Sequence, residues 1–314
     1  MTETASPVRR GRVLRSTAAL AVLLALVAYV VVQYVSGGGG APRCVVRSAD
    51  GGDSGSGSGT SYELTPEMAA NAATISAVGT TRGMPERAVT IALATALQES
   101  ALRNIKHGDR DSLGLFQQRP SQGWGTPQQI LDPVYSAGKF YDHLAKVPGY
   151  SRLPLTEAAQ RVQRSGFPQA YAKHEPDASL LAAALTGRAS AALTCTAGRE
   201  PGPGDPARLR SELTRSFGTG VLPTARATGG RELTVPVNAT AGAGAGKGTG
   251  AAAGAASRRG WELAHWVVAQ ASVLRIEQVS YAGRVWSAAE ADEGWTSTDA
   301  SADAGEVRIR VASR

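Results

Sequence analysis

The chain has 314 residues, a formal net charge of +7 and 42% hydrophobic residues. That length holds two modest domains with linkers, and the basic balance suits an anionic partner such as phospholipid, nucleic acid or an acidic wall polymer. No finger spacing or RNA-binding aromatic motif accompanies the charge, which argues against nucleic acid. His107, His143, His174 and His265 are scattered without an HExxH spacing, so no metal and no cofactor are expected.

Taken in order, the first 15 residues form a basic tail carrying Arg9, Arg10, Arg12 and Arg15. Ser16 to Val35 is uncharged and almost wholly apolar. A helix of about 20 such residues crosses a ~30 Å hydrocarbon core. The upstream arginines would hold its N-terminus in the cytoplasm, with everything after Val35 extracytoplasmic. A cleaved signal peptide is the other reading of this stretch. Its length and the absence of an A-x-A site favour an uncleaved single-pass anchor in the cell membrane.

Residues 36–60 read as a flexible linker, rich in Gly and Ser at Gly37 to Gly40 and Gly51 to Gly59. Cys44 and Cys195, the only two cysteines, bracket the first folded segment, 61–197. Outside a reducing compartment a disulfide between them is the economical reading, against two free thiols.

Within that segment, hydroxyl or carboxyl caps followed by proline mark helix starts at Thr65-Pro66, Thr126-Pro127 and Asp132-Pro133. A further helix is expected from Pro85 through Leu102, others from Thr156 to about Gln163 and from Pro168 to about His174, and a last one from Asp177 to about Leu185. No long alternating pattern appears between Thr65 and Ala192, so the segment reads as all-α.

Residues 198–230 read as a second linker, with a short helix from Ala207 to Phe217. Residues 231–314 read as a small α+β module. It contains an Ala/Gly-rich loop at 239–256, a helix from Trp261 to Leu274, a hairpin of Ile276 to Tyr281 and Arg284 to Ser287 around Ala282-Gly283, and a strand from Glu306 to Val311. The expected fold class is mainly α: a transmembrane helix, an all-α domain and this module.

The chemistry concentrates at Ala92 to Gln118. On a helix, Glu99 shares a face with Ala88, Ala92, Thr95, Ala96 and Leu102, all small or apolar. A carboxyl there is partly desolvated, which raises its pKa. A carboxylic acid still protonated near neutral pH can donate to the leaving oxygen of a glycosidic bond. The competing reading makes Glu99 a surface partner of Arg103 at i+4, a pair worth ~0.2–0.5 kcal/mol.

The block ALQESALRN followed by SLGLFQQRPSQGWG resembles the lysozyme-like fold of soluble lytic transglycosylases, over roughly Leu64 to Thr186. Glu99-Ser100 matches that family's Glu-Ser pair at a helix end, and Gly114-Leu115-Phe116-Gln117 its Gly-Leu-Met-Gln turn, with Phe for Met. The resemblance implies that Glu99 is the acid and base and that Ser100 orients a substrate group. It also implies that Gln117, with Gly114 and Gln118 beside it, lines the cleft. Tyr171 is the nearest counterpart of a family tyrosine, without the Asn-Ala-Gly turn that usually follows.

Trp124 stands between two glycines, either to stack on a sugar or to fill a core. Asp109 and Asp111 are candidates for the second carboxylate a hydrolase would need, and Asp111 equally for a helix cap. Without one, the substrate's own hydroxyl attacks and leaves an anhydro-sugar end. The implied substrate is the glycan strand of peptidoglycan. The rival is a non-catalytic wall-binding or scaffold protein that keeps the same fold. A third reading, from the charge of +7, is a protein that adheres to anionic wall polymers.

Overall fold

The computed structural model describes residues 26–27, 41–48, 59–167, 169–196, 202–222, 230–237, 249–298 and 304–313. The chain divides into two units, Met1–Pro42 and Arg43–Arg314. In the first, Leu26 and Val27 are helical and exposed. Among the described residues no helix is long and apolar enough to cross a membrane. The expected span Ser16 to Val35 lies outside the described residues apart from Leu26 and Val27. The single-pass anchor, and the membrane topology drawn from it, is therefore withdrawn.

The second unit begins with strand β1 (Cys44–Arg47), paired antiparallel with β2 (Ser61–Leu64) and with β3 (Leu193–Cys195). Cys44 stands directly opposite Cys195 in this ladder, and the two form a disulfide. This three-stranded sheet corrects the all-α expectation. Its strands are too short for an alternating pattern to stand out from the sequence.

Between β2 and β3 the chain is helical: α1 (Pro66–Thr81), α2 (Glu86–Ser100), α3 (Pro127–Ile130), α4 (Pro133–Leu144), α5 (Leu155–Gln163) and α6 (Glu175–Leu185). The three cap-then-proline signals are used as they read. Thr65 accepts from the Met68 amide, Thr126 forms a capping box with Gln129, and Asp132 accepts from the amides of Val134 and Tyr135. Small residues on α1 let α4 come close. A Cβ on Gly79 would lie 2.6 Å from the Tyr141 ring, whose hydroxyl donates to the Ile75 carbonyl at 3.1 Å.

After β3 come α7 (Pro206–Phe217), β4 (Glu232–Pro236), α8 (Thr249–Ala269), α9 (Ala271–Leu274), β5 (Ile276–Tyr281), β6 (Arg284–Ser287), β7 (Trp295–Ser297) and β8 (Glu306–Val311). The five strands form an antiparallel sheet in the order β4-β8-β5-β6-β7. The β5–β6 hairpin turns at Ala282 and Gly283, both at positive φ, 49° and 73°. Of the expected Ala/Gly-rich loop, residues 249–256 are instead the first turns of α8, and 239–248 lie outside the described residues. Alanine has the highest helix propensity, which lets a packed helix extend backwards through such a tract.

Residues 231–314 do not stand apart as a module. Helix α8 packs on α1, α6, β3 and β5, and the buried core runs through all of them. The imidazole of His265 lies between the Ala184 carbonyl, 2.7 Å from Nδ1, and the Ala192 amide, 3.1 Å from Nε2. Arg259 and Glu262 form a buried ion pair at 2.8 Å, and Glu262 also accepts from the Thr80 hydroxyl. The indoles of Trp286 and Trp295 donate to Thr194 Oγ1 and the Leu193 carbonyl.

Candidate functional site

Glu99 is the next-to-last residue of α2, a helix whose other side is buried against α1 and α6. The helix stops at once behind it. Ala101 and Leu102 take left-handed φ values of 51° and 58°. Their amides bond back to Leu97 at 3.0 Å and Ala96 at 3.1 Å, closing the last turn. Two successive non-glycine residues in this region carry strain, and Asn71 of α1 helps to hold them by donating to the Leu102 carbonyl at 2.8 Å. The helix therefore ends two residues short of the expected Leu102. Arg103 is no longer one turn beyond Glu99, so the i+4 surface pair has no geometry to form.

Glu99 is instead half-buried and bonded to two uncharged side chains. The Tyr171 hydroxyl donates to Oε1 at 2.7 Å, and Gln163 hydrogen-bonds the same carboxyl. Burial raises the Glu99 pKa above the ordinary carboxylate value, while the bonds from Tyr171 and Gln163 oppose the rise. Tyr171 is fully buried. Its phenol is pushed well up, first by burial, then by the neighbouring Glu99 charge. It therefore acts as a donor to Glu99 and does not ionise near neutrality.

The turn across from Glu99 is closed by Leu113 and Gln118, whose backbones bond each other at 2.9 and 3.0 Å. Gly114 sits inside it at φ 76°. A Cβ there would lie 2.7 Å from the Ile130 carbonyl, so no other residue fits. Ser100 Oγ donates to the Leu115 carbonyl at 2.8 Å, and Gln163 Nε2 to the Phe116 carbonyl at 2.7 Å. Phe116 is buried and stacked on Phe140 at 4.7 Å. The turn is thus braced against the ends of α2 and α5.

Several expected roles change with this geometry. Ser100 is buried and spends its hydroxyl on Leu115 and Ala96, so it positions the turn and does not face a substrate. Gly114 is buried as well. Gln118 is 1% exposed and donates to the Ser136 carbonyl at 3.0 Å, which removes it from any cleft lining. Gln117 stays part-exposed, its amide near the carbonyls of Gly114 and His107. Trp124 packs on His143 with ring centroids 4.2 Å apart, which favours its core role.

Asp111 caps no helix. It accepts from Arg119 and from the Ser121 amide, and these bonds hold its carboxyl well below the usual range. Asp109 is exposed, with Arg110 3.9 Å away. The groups bonded to Glu99 are a phenol and an amide, with no second carboxylate among them. Among the described residues no group of His, Cys, Asp or Glu side chains could hold a metal. A cavity of about 480 Å³ bounded by Asp205, Arg208, Ser272 and Arg275 shares no residue with this cluster.

A family model described as VldE, C-terminal domain, matches residues 240–307. No curated protein matches the chain. The matched stretch runs from the Ala/Gly tract through α8 and into β8, and the Glu99 cluster lies wholly outside it. The match covers well under half of the chain and lends nothing to a lysozyme or transglycosylase assignment of Leu64 to Thr186. Gln163 is the residue of the cluster that sequence reasoning missed. A glutamine at the end of an amphipathic helix has no signature, and only the fold brings it to Glu99.

Proposed function

We propose that the chain is a glycan-cleaving enzyme in which Glu99 serves as both general acid and general base. The observation that carries this reading is a half-buried carboxyl with a raised pKa, held by the Tyr171 hydroxyl at 2.7 Å at the end of a rigid helix. The motif resemblance at Glu99-Ser100 and Gly114 to Gln117 supports it independently. The protonated carboxyl gives its proton to the glycosidic oxygen as the bond to the anomeric carbon breaks. The resulting carboxylate then takes the proton from the attacking hydroxyl. With no second carboxylate bonded into the cluster, attack by the substrate's own hydroxyl fits better than displacement by an enzyme nucleophile. Phe167, 76% exposed on the loop between Gln163 and Tyr171, offers an apolar face for a sugar ring.

The proposed substrate is the glycan strand of peptidoglycan. The test is digestion of purified peptidoglycan by the full chain, with products identified by mass. Wild type should release anhydro-ended fragments, and Glu99→Gln, which keeps the shape but cannot deliver a proton, should lose at least about 100-fold in rate. Undiminished cleavage by Glu99→Gln would remove Glu99 from the mechanism. A wild type that binds the wall and cleaves nothing would favour the non-catalytic reading, which the burial of Ser100, Gly114 and Gln118 supports.

A further inference from the structure

We infer that Gln163 is a positioning residue that ties the Glu99 carboxyl to the backbone of the Leu113–Gln118 turn. The inference rests on the reading of Glu99 as the acid and base. A glutamine amide carries two N–H donors on one nitrogen. One is spent on the Phe116 carbonyl at 2.7 Å, and the same side chain bonds Glu99. The Phe116 carbonyl is a fixed anchor, because its ring is buried and stacked on Phe140.

Gln163 is itself placed by the end of α5. Arg164 takes φ 52° and caps the helix, with its amide bonded to the Gln160 carbonyl at 2.8 Å. The Gln160 side chain donates to the Ser165 carbonyl at 2.7 Å, and Ser165 in turn hydrogen-bonds Tyr171. The acid is therefore gripped from two points of one loop. Tyr171 holds it from the far end, and Gln163 holds it from the near end against the turn.

A donor to a carboxylate favours its ionised form. Removing the Gln163 donor should raise the Glu99 pKa further and free the carboxyl to rotate. The ionisable group bonded to Glu99 is Tyr171, and His174 contacts the preceding residue, Gln98, at 3.2 Å. Both stay unchanged in the variants proposed below.

The experiment is a carbon-13 NMR titration of glutamate carboxyls in the full chain, with the Glu99 signal assigned by its loss in Glu99→Gln. Gln163→Leu should move the Glu99 titration upward, and Gln163→Glu, which adds a second anion, should move it further. In the glycan assay Gln163→Leu should lower kcat on the order of tenfold, the worth of one charge-assisted hydrogen bond, with KM little changed. If Gln163→Leu does not fold, Gln163→Asn keeps the amide one methylene short of reaching both partners and should shift the titration in the same direction. An unchanged Glu99 titration in whichever variant folds would overturn the inference, even if activity were lost. A shifted titration in a chain that cleaves no glycan would uphold the positioning role and overturn the catalytic reading.

Discussion

His265 makes a quantitative test of how the two halves of the core depend on each other. It is fully buried on α8, between the Ala184 carbonyl at Nδ1 and the Ala192 amide at Nε2. Those partners assign the proton to Nδ1 and the lone pair to Nε2. A second proton would have to sit on Nε2, facing an N–H donor, at a fully buried position. Burial accordingly pushes the imidazole down from its ordinary 6.5 to about 4. Because the folded value lies below the unfolded one, the unfolded chain takes up the proton first as pH falls. The stability from this site is complete above pH ~6.5 and is lost as pH falls toward 4. At 1.36 kcal/mol per unit the loss is about 3 kcal/mol.

The assay is urea unfolding of wild type and His265→Asn at several pH values between 7.5 and 4. The variant should be the less stable at pH 7.5, because the exchange disturbs two buried backbone bonds worth ~1–3 kcal/mol if left unmade. The wild-type advantage should then shrink by about 3 kcal/mol on acidification, since the variant has no imidazole to charge. The Arg259–Glu262 pair, one turn earlier on α8, and the raised carboxyl of Glu99 are present in both proteins and cancel in the difference. A difference that stays flat to within about 1 kcal/mol from pH 7 to 4 would refute the reasoning.

Two further outcomes test the scaffold. Replacing Cys44 and Cys195 by serine opens a loop whose ends are 151 residues apart, and in the chain-entropy model this costs up to about 5 kcal/mol. Comparing urea midpoints of the oxidised chain and the double variant measures it, and a difference near zero would mean that the β1–β3 ladder holds the ends together unaided. Glu262→Leu alone strands a buried guanidinium and should cost about 3–5 kcal/mol, while pairing it with Arg259→Met should recover most of that. An equal loss in the single and double variants would show that Arg259 was not left unpaired.

The parts of the fold legible in the sequence are those fixed by local chemistry. Thr65-Pro66, Thr126-Pro127 and Asp132-Pro133 place helix starts because a cap and a fixed φ act within one turn. The hairpin at Ala282-Gly283 reads for the same reason. The sheet β2-β1-β3 does not read, since strands of three or four residues carry no period and are held by pairing between distant parts of the chain. Nor do the early turns of α8, where alanines and glycines show no face. At the cluster, the small-residue helix face of Glu99 reads from the sequence, while its bond to Tyr171 depends on the fold. The burial of Ser100 and Gln118 does not read, because their hydrogen bonds to Leu115 and Ser136 depend on how the turn folds back, which no spacing encodes. The end of α2 shows the same limit: only tertiary contacts hold Ala101 and Leu102 in the left-handed region.

The stretch matched by the VldE C-terminal model bears on Glu99 through the core. Helix α8 lies against α1 and α6, and those two helices hold α2, which carries Glu99 at its end. Gln270, just past α8, donates to the Ala70 carbonyl of α1 at 3.2 Å, and His265 holds the Ala184 carbonyl of α6. The indoles of Trp286 and Trp295 hold β3, next to the disulfide. Removing residues 231–314 would take these hydrogen bonds from α1, α6 and β3 and would bare the apolar surface that α8 covers. Each such bond contributes about 0.5–1.5 kcal/mol net, and the exposed apolar surface adds about 25 cal/mol per Å² to the loss. The helices that aim Glu99 at the turn are thus held in place by the segment after the second linker, and whatever chemistry Glu99 performs belongs to the full unit from Arg43 to Arg314.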